Sequence, residues 1–154
     1  MNRYQRLEKE AKDLMREHLK DDYHNWSFKW DNAKVRFGCC NHTTGTINIS
    51  RPLTEVNDDD QFKDTVLHEI AHAIAGARAG HGYTWKRVAV SVGCEPTRCH
   101  KAALPKSKYL FKCPCCGWER PFTRMPKLNY GCTPCCTKYN RGKYTTKYKL
   151  ERVY

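Results

Sequence analysis

The chain has 154 residues, 40% of them hydrophobic, and a formal net charge of +12. This length suits one compact domain, or one domain with a small appendage, around a modest core. No apolar run approaches the roughly 18 residues of a membrane span, and the charged N-terminus lacks the apolar segment of a signal peptide. We therefore expect a cytoplasmic protein, a monomer, that has no membrane partner.

The first part of the chain predicts one helix followed by a small antiparallel sheet. Apolar residues recur at helical spacing over residues 3–19. Short apolar patterns then predict three strands, at 26–30, 35–37 and 47–49. Residues 41–45 predict the turn before the third strand. The order of helix, small sheet and further helices is typical of an α+β fold.

A second helix is predicted to carry the sequence His68-Glu69-Ile70-Ala71-His72. Apolar residues have helical spacing over 62–75, Asp58–Asp60 suit an N-cap, and Gly76 suits the end of the helix. Histidines four residues apart lie on one helix face, where both imidazoles can bind one metal ion. A catalytic zinc site has three protein ligands and one open position for water or substrate.

His68 and His72 are thus predicted zinc ligands, and Glu69 is the predicted general base for a metal-bound water. The His-Glu-x-x-His pattern is typical of zinc proteases. The third zinc ligand decides the class of protease. Glu95 is the only acidic residue between positions 70 and 118, and it is one candidate. His81 is the favoured candidate, because it lies just beyond the helix between two glycines, where the chain can turn back towards the metal.

A third helix is predicted to begin at an N-cap formed by Thr84 and to end near Gly93. Residues 94–108 contain two prolines and little periodicity, which indicates a linker. We therefore expect a metalloprotease core at 1–100 and a basic zinc-ribbon subdomain at 101–154. Tyr83 and His100 are weak candidates for binding an oxyanion near the zinc, and packing is the favoured interpretation of both.

A second metal site is predicted from two Cys-x-x-Cys pairs, whose spacing is a strong signal for structural zinc. The predicted ligands are Cys113, Cys116, Cys132 and Cys135. Four thiolates leave no open position, so this ion would be structural. We expect two Zn²⁺ ions per chain, one catalytic and one structural. Cys115 and Cys136 are surplus thiols that could each replace a neighbour in the four-cysteine site, although the register with Gly117 favours Cys116. The spacing of Cys39, Cys40, Cys94 and Cys99 requires no metal.

The positive charge is concentrated in the last third of the chain. Residues 1–100 hold 15 Lys and Arg against 14 Asp and Glu, whereas residues 101–154 hold 13 against two, a net charge of +11. Aromatic residues alternate with these cations, as in surfaces that bind phosphates and stack bases. The alternative is that half of the rings form a small core and the cations are solvated. The predicted nucleic-acid contacts are Lys112, Arg120, Arg124, Lys127, Lys138, Arg141, Lys143 and Lys147.

Four segments together resemble the SprT-like family, which includes the Spartan proteases. They are Leu67–Ala73, the HGxxW-like element His81–Trp85, and the upstream segments Arg36–Cys40 and Gly45–Ser50. The cysteine pairs resemble the zinc ribbon of bacterial members. The resemblance implies a zincin-like core with a C-terminal zinc ribbon, zinc ligands His68, His72 and His81, and Glu69 as the base.

The resemblance also implies proteolysis of proteins bound or crosslinked to DNA. We expect single-stranded or junction DNA as the partner. The compact chain is similar to bacterial or phage members, which implies a location at the nucleoid or in the host cytoplasm. We expect a chain of this length to lack the ubiquitin-binding and clamp-binding tail motifs of eukaryotic members. The alternative hypothesis is a zinc-ribbon nucleic-acid-binding or regulatory protein whose HExxH site is not catalytic.

Overall fold

A computed structural model describes residues 1–97 and 102–154, and these form two compact units, 1–105 and 106–154. The boundary lies at 105/106 rather than at the expected 100/101. Both units combine helices with a small sheet, so the predicted α+β class is confirmed. Within the described ranges, no helix is long and apolar enough to cross a membrane.

The described residues of the first unit form four α-helices and three strands, and the second unit contains three strands and one short α-helix. The elements of the first unit are α1 (Arg3–Leu19), β1 (Ser27–Asp31), β2 (Gly38–Asn41), β3 (Thr46–Ser50), α2 (Arg51–Val56), α3 (Asp59–Ala75) and α4 (Tyr83–Val92). A 3-10 helix, Lys20–Asn25, links α1 to β1. The predicted helix at 3–19 is confirmed with the same bounds.

The sheet of the first unit is mixed, so the prediction of an antiparallel sheet was wrong in this respect. Its strand order is β1-β3-β2, with β1 parallel to β3 and β2 antiparallel to β3. The tight turn after Asn41 makes β2 and β3 a hairpin. Because β3 lies between the other two strands, β2 is an edge strand, and it contacts α3.

The second strand begins at Gly38, three residues later than predicted, and residues 35–37 lie in the preceding loop. Val35 is 74% exposed, whereas Phe37 is buried. The Phe37 carbonyl accepts a hydrogen bond of 2.8 Å from the Ser50 N–H. Two apolar residues at spacing two therefore reflect a loop that buries one of them and exposes the other.

The helix with the HExxH sequence begins and ends where the sequence predicts. The Asp58 side chain caps α3 by accepting from the Gln61 N–H at 2.8 Å. Gly76 ends it with φ 95°, a conformation that favours glycine. The next helix, α4, is capped by Gly82 rather than by the predicted Thr84. Helix α2 was not predicted; the Ser50 side chain caps it by accepting from the Leu53 N–H.

The core of the first unit packs α3 between α1, the sheet and α4. Burial of each large apolar side chain contributes about 1.5–3 kcal/mol to folding. These contacts fix α3 in place, and with it both histidines of the motif. The largest fully buried residues of this core are Leu7, Met15, Ile47, Ile49, Leu53, Phe62, Val66, Ile70 and Trp85.

The second unit is a small three-stranded antiparallel sheet with a short helix. Its elements are β4 (Tyr109–Lys112), β5 (Glu119–Phe122), α5 (Thr133–Tyr139), a 3-10 turn at Thr146–Tyr148, and β6 (Glu151–Arg152), in the sheet order β5-β4-β6. The helix was not predicted. Four cysteines and Tyr148 and Leu150 form the buried core, so this unit has few apolar residues to stabilise it.

Candidate metal centres

The first candidate centre is a cluster of three histidines, and the structure brings the predicted ligands together. His68 and His72 lie on α3, and His81 lies in the turn before α4. The Nε2 atom of His81 is 3.1 Å from Nε2 of His68 and 3.1 Å from Nε2 of His72. One nitrogen from each ring lies within 4.8 Å of the others.

This arrangement fits a zinc ion. Tetrahedral zinc with bonds of about 2.0–2.1 Å to nitrogen separates two ligand nitrogens by about 3.3–3.4 Å. The observed 3.1 Å is close to that value. Burial, and to a smaller extent the neighbouring His81 and His42, lower the pKa of His72 to about 4. His72 is therefore neutral at pH 7, and neutral imidazole is the form that binds metals.

Glu69 lies beside this cluster but is not part of it, as its predicted role requires. Its side chain is buried, and burial raises the pKa of Glu69 to about 7. The nearby Arg36 guanidinium and a backbone hydrogen bond from Cys40 act in the opposite direction and lower the pKa. Without a metal, Glu69 is thus poised to exchange a proton near neutral pH.

The edge strand β2 passes so close to Glu69 that any side chain at position 38 would displace its neighbours. A Cβ atom on Gly38 would lie 2.6 Å from Oε1 of Glu69 and 2.9 Å from Cγ2 of Thr65. Two residues later, the Cys40 backbone bonds to the Glu69 carboxylate. The strand therefore fixes where this carboxylate lies. Gly38 lies in the family-like segment 36–40, but no role for it was predicted from the sequence.

Trp85 packs against all three histidines and was likewise missed as a site residue. Its ring centroid lies 4.7, 5.3 and 4.8 Å from those of His68, His72 and His81. The side chain is fully buried in the first turn of α4. Trp85 restricts the imidazoles to one arrangement. The signal for it was the spacing of four residues from His81 in the HGxxW-like element.

The three histidines and Glu69 open into one cavity of about 520 Å³. This size lies within the range of small-molecule and substrate sites. The other walls come from the loop before β2, from β2, from the α3–α4 turn and from residues 102–104. This volume is large enough to hold part of a ligand next to the histidine cluster.

The remaining candidates near the first centre are placed elsewhere. Glu95 is exposed and outside the cluster, and its backbone N–H donates to Asp64 Oδ1 at 3.1 Å. Tyr83 is 76% exposed on α4. His100 and Cys99 lie outside the described residues. His81 is thus the residue that completes the histidine cluster.

The second candidate centre is the cluster of Cys113, Cys116, Cys132 and Cys135, in which the four sulfurs lie within 4.8 Å of one another. The Cys113–Cys135 and Cys116–Cys132 sulfurs are 4.0 and 3.4 Å apart. Tetrahedral zinc with sulfur bonds of about 2.3 Å separates two sulfurs by about 3.8 Å. The cysteine cluster therefore also fits zinc.

The other described cysteines lie outside this cluster. Cys115 is exposed beside it, and Cys136 is buried below Gly131. Cys39 and Cys40 are half-buried on β2, and Cys94 is buried in the first unit. Burial, together with the nearby Glu69 and Cys39, raises the pKa of Cys40 to about 12, so its sulfur stays protonated at neutral pH.

The predicted nucleic-acid contacts are on the surface of the second unit. Seven of the eight cations are exposed, and Arg120 is half-buried, with its guanidinium 5.0 and 4.7 Å from the ring centroids of Phe122 and Tyr130. The aromatic residues divide between two roles. Tyr148 is buried and Phe111 and Trp118 pack against the core, whereas Tyr139 and Tyr144 are exposed.

Comparison with known proteins agrees with the histidine cluster and its surroundings. A model of the SprT-like family matches residues 4–104. The chain belongs to the SprT-like family. This confirms the resemblance found in the sequence. The match includes the three histidines, Glu69 and Trp85 and ends before the first residue of the cysteine cluster.

Bacterial proteins of the same family are similar in sequence. The chain is 30% identical to Protein SprT of Pseudomonas entomophila (strain L48), over 63% of each chain. It is 35% identical to Protein SprT of Pseudomonas syringae pv. syringae (strain B728a), over 50% of this chain and 52% of that one. The chain therefore spans between about half and two thirds of the length of these relatives.

Proposed function

We propose that this protein is a zinc-dependent endopeptidase that acts on DNA-associated proteins. The observation that carries the proposal is the convergence of three imidazole nitrogens beside a buried carboxylate in an open cavity. A merely structural metal site needs no carboxylate next to its ligands. Membership of the SprT-like family, which is generally of the metalloprotease type, supports the same chemistry.

His68, His72 and His81 would hold the zinc ion, which when bound acidifies water to a pKa of about 7 and polarises the scissile carbonyl. Glu69 accepts the proton of the attacking water and donates it to the departing amine. The Cys40 backbone and the close approach of Gly38 hold the Glu69 carboxylate in place. Trp85 holds the three imidazoles against rotation.

The DNA part of the proposal rests on charge. Residues 101–154 have a net charge of +11, and seven of the eight predicted contact cations are exposed on the second unit. Cations on phosphates release counterions, and exposed rings such as Tyr139 and Tyr144 are available for base stacking. Binding of the second unit to DNA would direct a peptidase with an open cleft to the proteins located there.

The activity is tested by cleavage of casein and of a protein crosslinked to a single-stranded oligonucleotide, each with and without added DNA. We expect cleavage of both, faster for the DNA-linked protein, and loss of cleavage with a zinc chelator. A protein that carries two zinc ions and binds DNA but cleaves neither substrate would instead be the regulatory nucleic-acid-binding protein of the alternative hypothesis.

DNA binding is tested by neutralising Lys138, Arg141, Lys143 and Lys147 together as glutamines. Each lost phosphate contact reduces the slope of log K against log[salt] by about 0.7–0.9, so four contacts reduce it by about 3. The matched control removes the same charge from exposed lysines of the first unit: Lys20, Lys29, Lys34 and Lys63. Equal weakening by both variants, or by neither, would contradict the second unit's role as the DNA anchor.

A further inference from the structure

The side chain of Asn57 holds residues 102–104 against the rest of the first unit. Asn57 Nδ2 donates to the Ala103 carbonyl at 2.8 Å, and the Ala103 N–H donates to Asn57 Oδ1 at 2.8 Å. The side-chain amide thus pairs with the backbone as a neighbouring strand would. We call this pair of bonds the Asn57 clamp.

The Asn57 clamp is itself anchored to two helices. Asn57 Nδ2 also donates to the Leu53 carbonyl of α2 at 2.8 Å. Arg3 of α1 donates to the Asn57 carbonyl at 2.8 Å and to the Thr54 carbonyl at 3.0 Å. A residue with several fixed partners on the folded unit has a defined position, so the segment that it binds also has one.

The clamp places two apolar residues in the cavity of the histidine cluster. Ala102 and Leu104 flank the clamped residue, and both line the same cavity as His68, Glu69 and His81. In an extended segment, residues two apart project to the same side. Residues 102–104 are therefore a wall of the cleft, although the sequence pattern suggested only a linker.

The chemistry of this wall is apolar. Leu104 is 58% exposed and Val35, which lines the same cavity, is 74% exposed, while Phe37 and Leu53, also in its lining, are buried. The charged Arg36 in the cavity is paired with Asp31 at 2.7 Å. Exposed aliphatic side chains in a cleft gain free energy when another apolar group covers them.

We propose that residues 102–104, held by the Asn57 clamp, form one wall of a substrate subsite that takes an aliphatic or aromatic side chain near the scissile bond. The proposal rests on the peptidase function proposed above. It names the class of substrate residue that the cleft selects: a large apolar side chain at one fixed position relative to the cut.

The first test maps casein cleavage sites by mass spectrometry. Parent protein is expected to favour Leu, Ile, Phe or Met at one position, and Leu104→Asp to lower cleavage at those sites about 10-fold, the low end for a changed pocket contact. Leu104→Asp should also gain cleavage at sites with Lys or Arg there, which a folding defect would not produce. Val90→Asp, at a 63% exposed residue on α4 outside the cavity, is the control and should match the parent.

The clamp has a separate variant. Asn57→Ala keeps Leu104 but removes both bonds to Ala103, so we expect a weaker preference at the same position, with kcat kept and KM raised. Zinc content and melting temperature show whether the fold is intact. An unchanged cleavage profile in Asn57→Ala, with Leu104→Asp altered, would remove the clamp from the proposal.

The second test measures binding and does not depend on cleavage. Fluorescein-labelled β-casein is titrated with the Glu69→Gln protein, alone and combined with Leu104→Asp or Val90→Asp. We expect about 10-fold weaker binding with Leu104→Asp only. Equal affinity in all three proteins, or no binding, overturns the subsite even if the parent cleaves casein. Weaker binding with Leu104→Asp in a protein that never cleaves would support the subsite and contradict the peptidase function.

Discussion

The histidine cluster and the cysteine cluster both fit a zinc ion, but their surroundings differ. The histidine cluster has three donors, opens into a cavity of about 520 Å³ and lies beside the buried Glu69. The cysteine cluster has four donors, and three of its cysteines are buried in the core of the second unit. One site thus leaves a position for substrate, and the other is closed.

The two clusters also differ in how much the surrounding fold depends on them. The histidine cluster lies on helices that a core of large apolar residues already holds. The second unit has only Tyr148 and Leu150 buried beside its cysteines, with Phe111 and Trp118 packed against them. We therefore expect metal loss to abolish chemistry in the first unit and structure in the second.

The largest expected effect is on the folding of the second unit. Cys132→Ser removes a buried ligand, and structural zinc contributes about 10–16 kcal/mol in zinc-finger peptides, so this unit should unfold and one zinc should be lost. The His81→Ala variant should also lose one zinc ion, but its second unit should stay folded. Zinc counting and trypsin sensitivity of residues 106–154 measure both.

Two controls sharpen this comparison. Cys115→Ser changes an exposed cysteine outside the cluster and should keep two zinc ions. Glu95→Ala tests the rival third ligand. If the His81→Ala variant keeps two zinc ions and the Glu95→Ala variant loses one, the ligand assignment of the first centre is wrong.

The second prediction concerns catalysis at the open site. Glu69→Gln keeps the size of the side chain and all three histidines but removes the base. We expect kcat/KM for casein to fall at least about 10²-fold, the low end of general-base contributions. The zinc count should stay at two. Cleavage at the parent rate would mean that the proton of the attacking water goes elsewhere.

The third prediction uses the raised pKa of Glu69. It is made in the His81→Ala background, in which we expect the first centre to lack its metal and the cysteine cluster to keep its zinc ion. Folding raises the pKa of Glu69 from 4.5 to about 7. Its contribution to stability is therefore fully present below about pH 4.5 and is lost as the pH rises through about 7.

Glutamine at position 69 does not titrate, so it removes this pH dependence. Between pH 5 and pH 8, the free energy of unfolding of His81→Ala should fall by about 2 kcal/mol relative to that of His81→Ala/Glu69→Gln. Urea titrations in which hydrogen exchange of the α3 amides is the probe measure the difference. Parallel pH profiles for the two proteins would contradict the burial of an ionisable carboxylate at this site.

Both metal clusters could be predicted from the sequence because their signals are local. Four-residue spacing places His68 and His72 on one face of a helix whatever the rest of the fold does. The paired Cys-x-x-Cys spacing similarly defines the cysteine cluster. His81 was favoured on its position after the helix end, and the structure places it in the cluster.

The features that were missed depend on contacts between distant segments. The parallel pairing of β1 with β3 follows from where the β2–β3 hairpin inserts, which no local pattern encodes. The Asn57 clamp joins residues 46 positions apart. Residues 102–104 show no helical or strand periodicity, because hydrogen bonds to the Asn57 side chain hold the segment in place.

The smallest expected effect tests how the edge strand positions the base. Gly38→Ala would place a methyl group 2.6 Å from Glu69 Oε1, so the carboxylate must move. We expect about a 10-fold fall in kcat/KM, since displacements of about 1 Å cost up to 10²-fold, and a loss of about 1–3 kcal/mol in stability from overpacking. Zinc content should not change. The control is Lys29→Ala, at an exposed residue of β1 in the same sheet that does not line the cavity. Because both variants leave the ligands and the base in place, a fall in kcat/KM confined to Gly38→Ala assigns the effect to the position of Glu69. Full activity in a correctly folded Gly38→Ala protein would show that the base tolerates displacement and that β2 does not set its geometry.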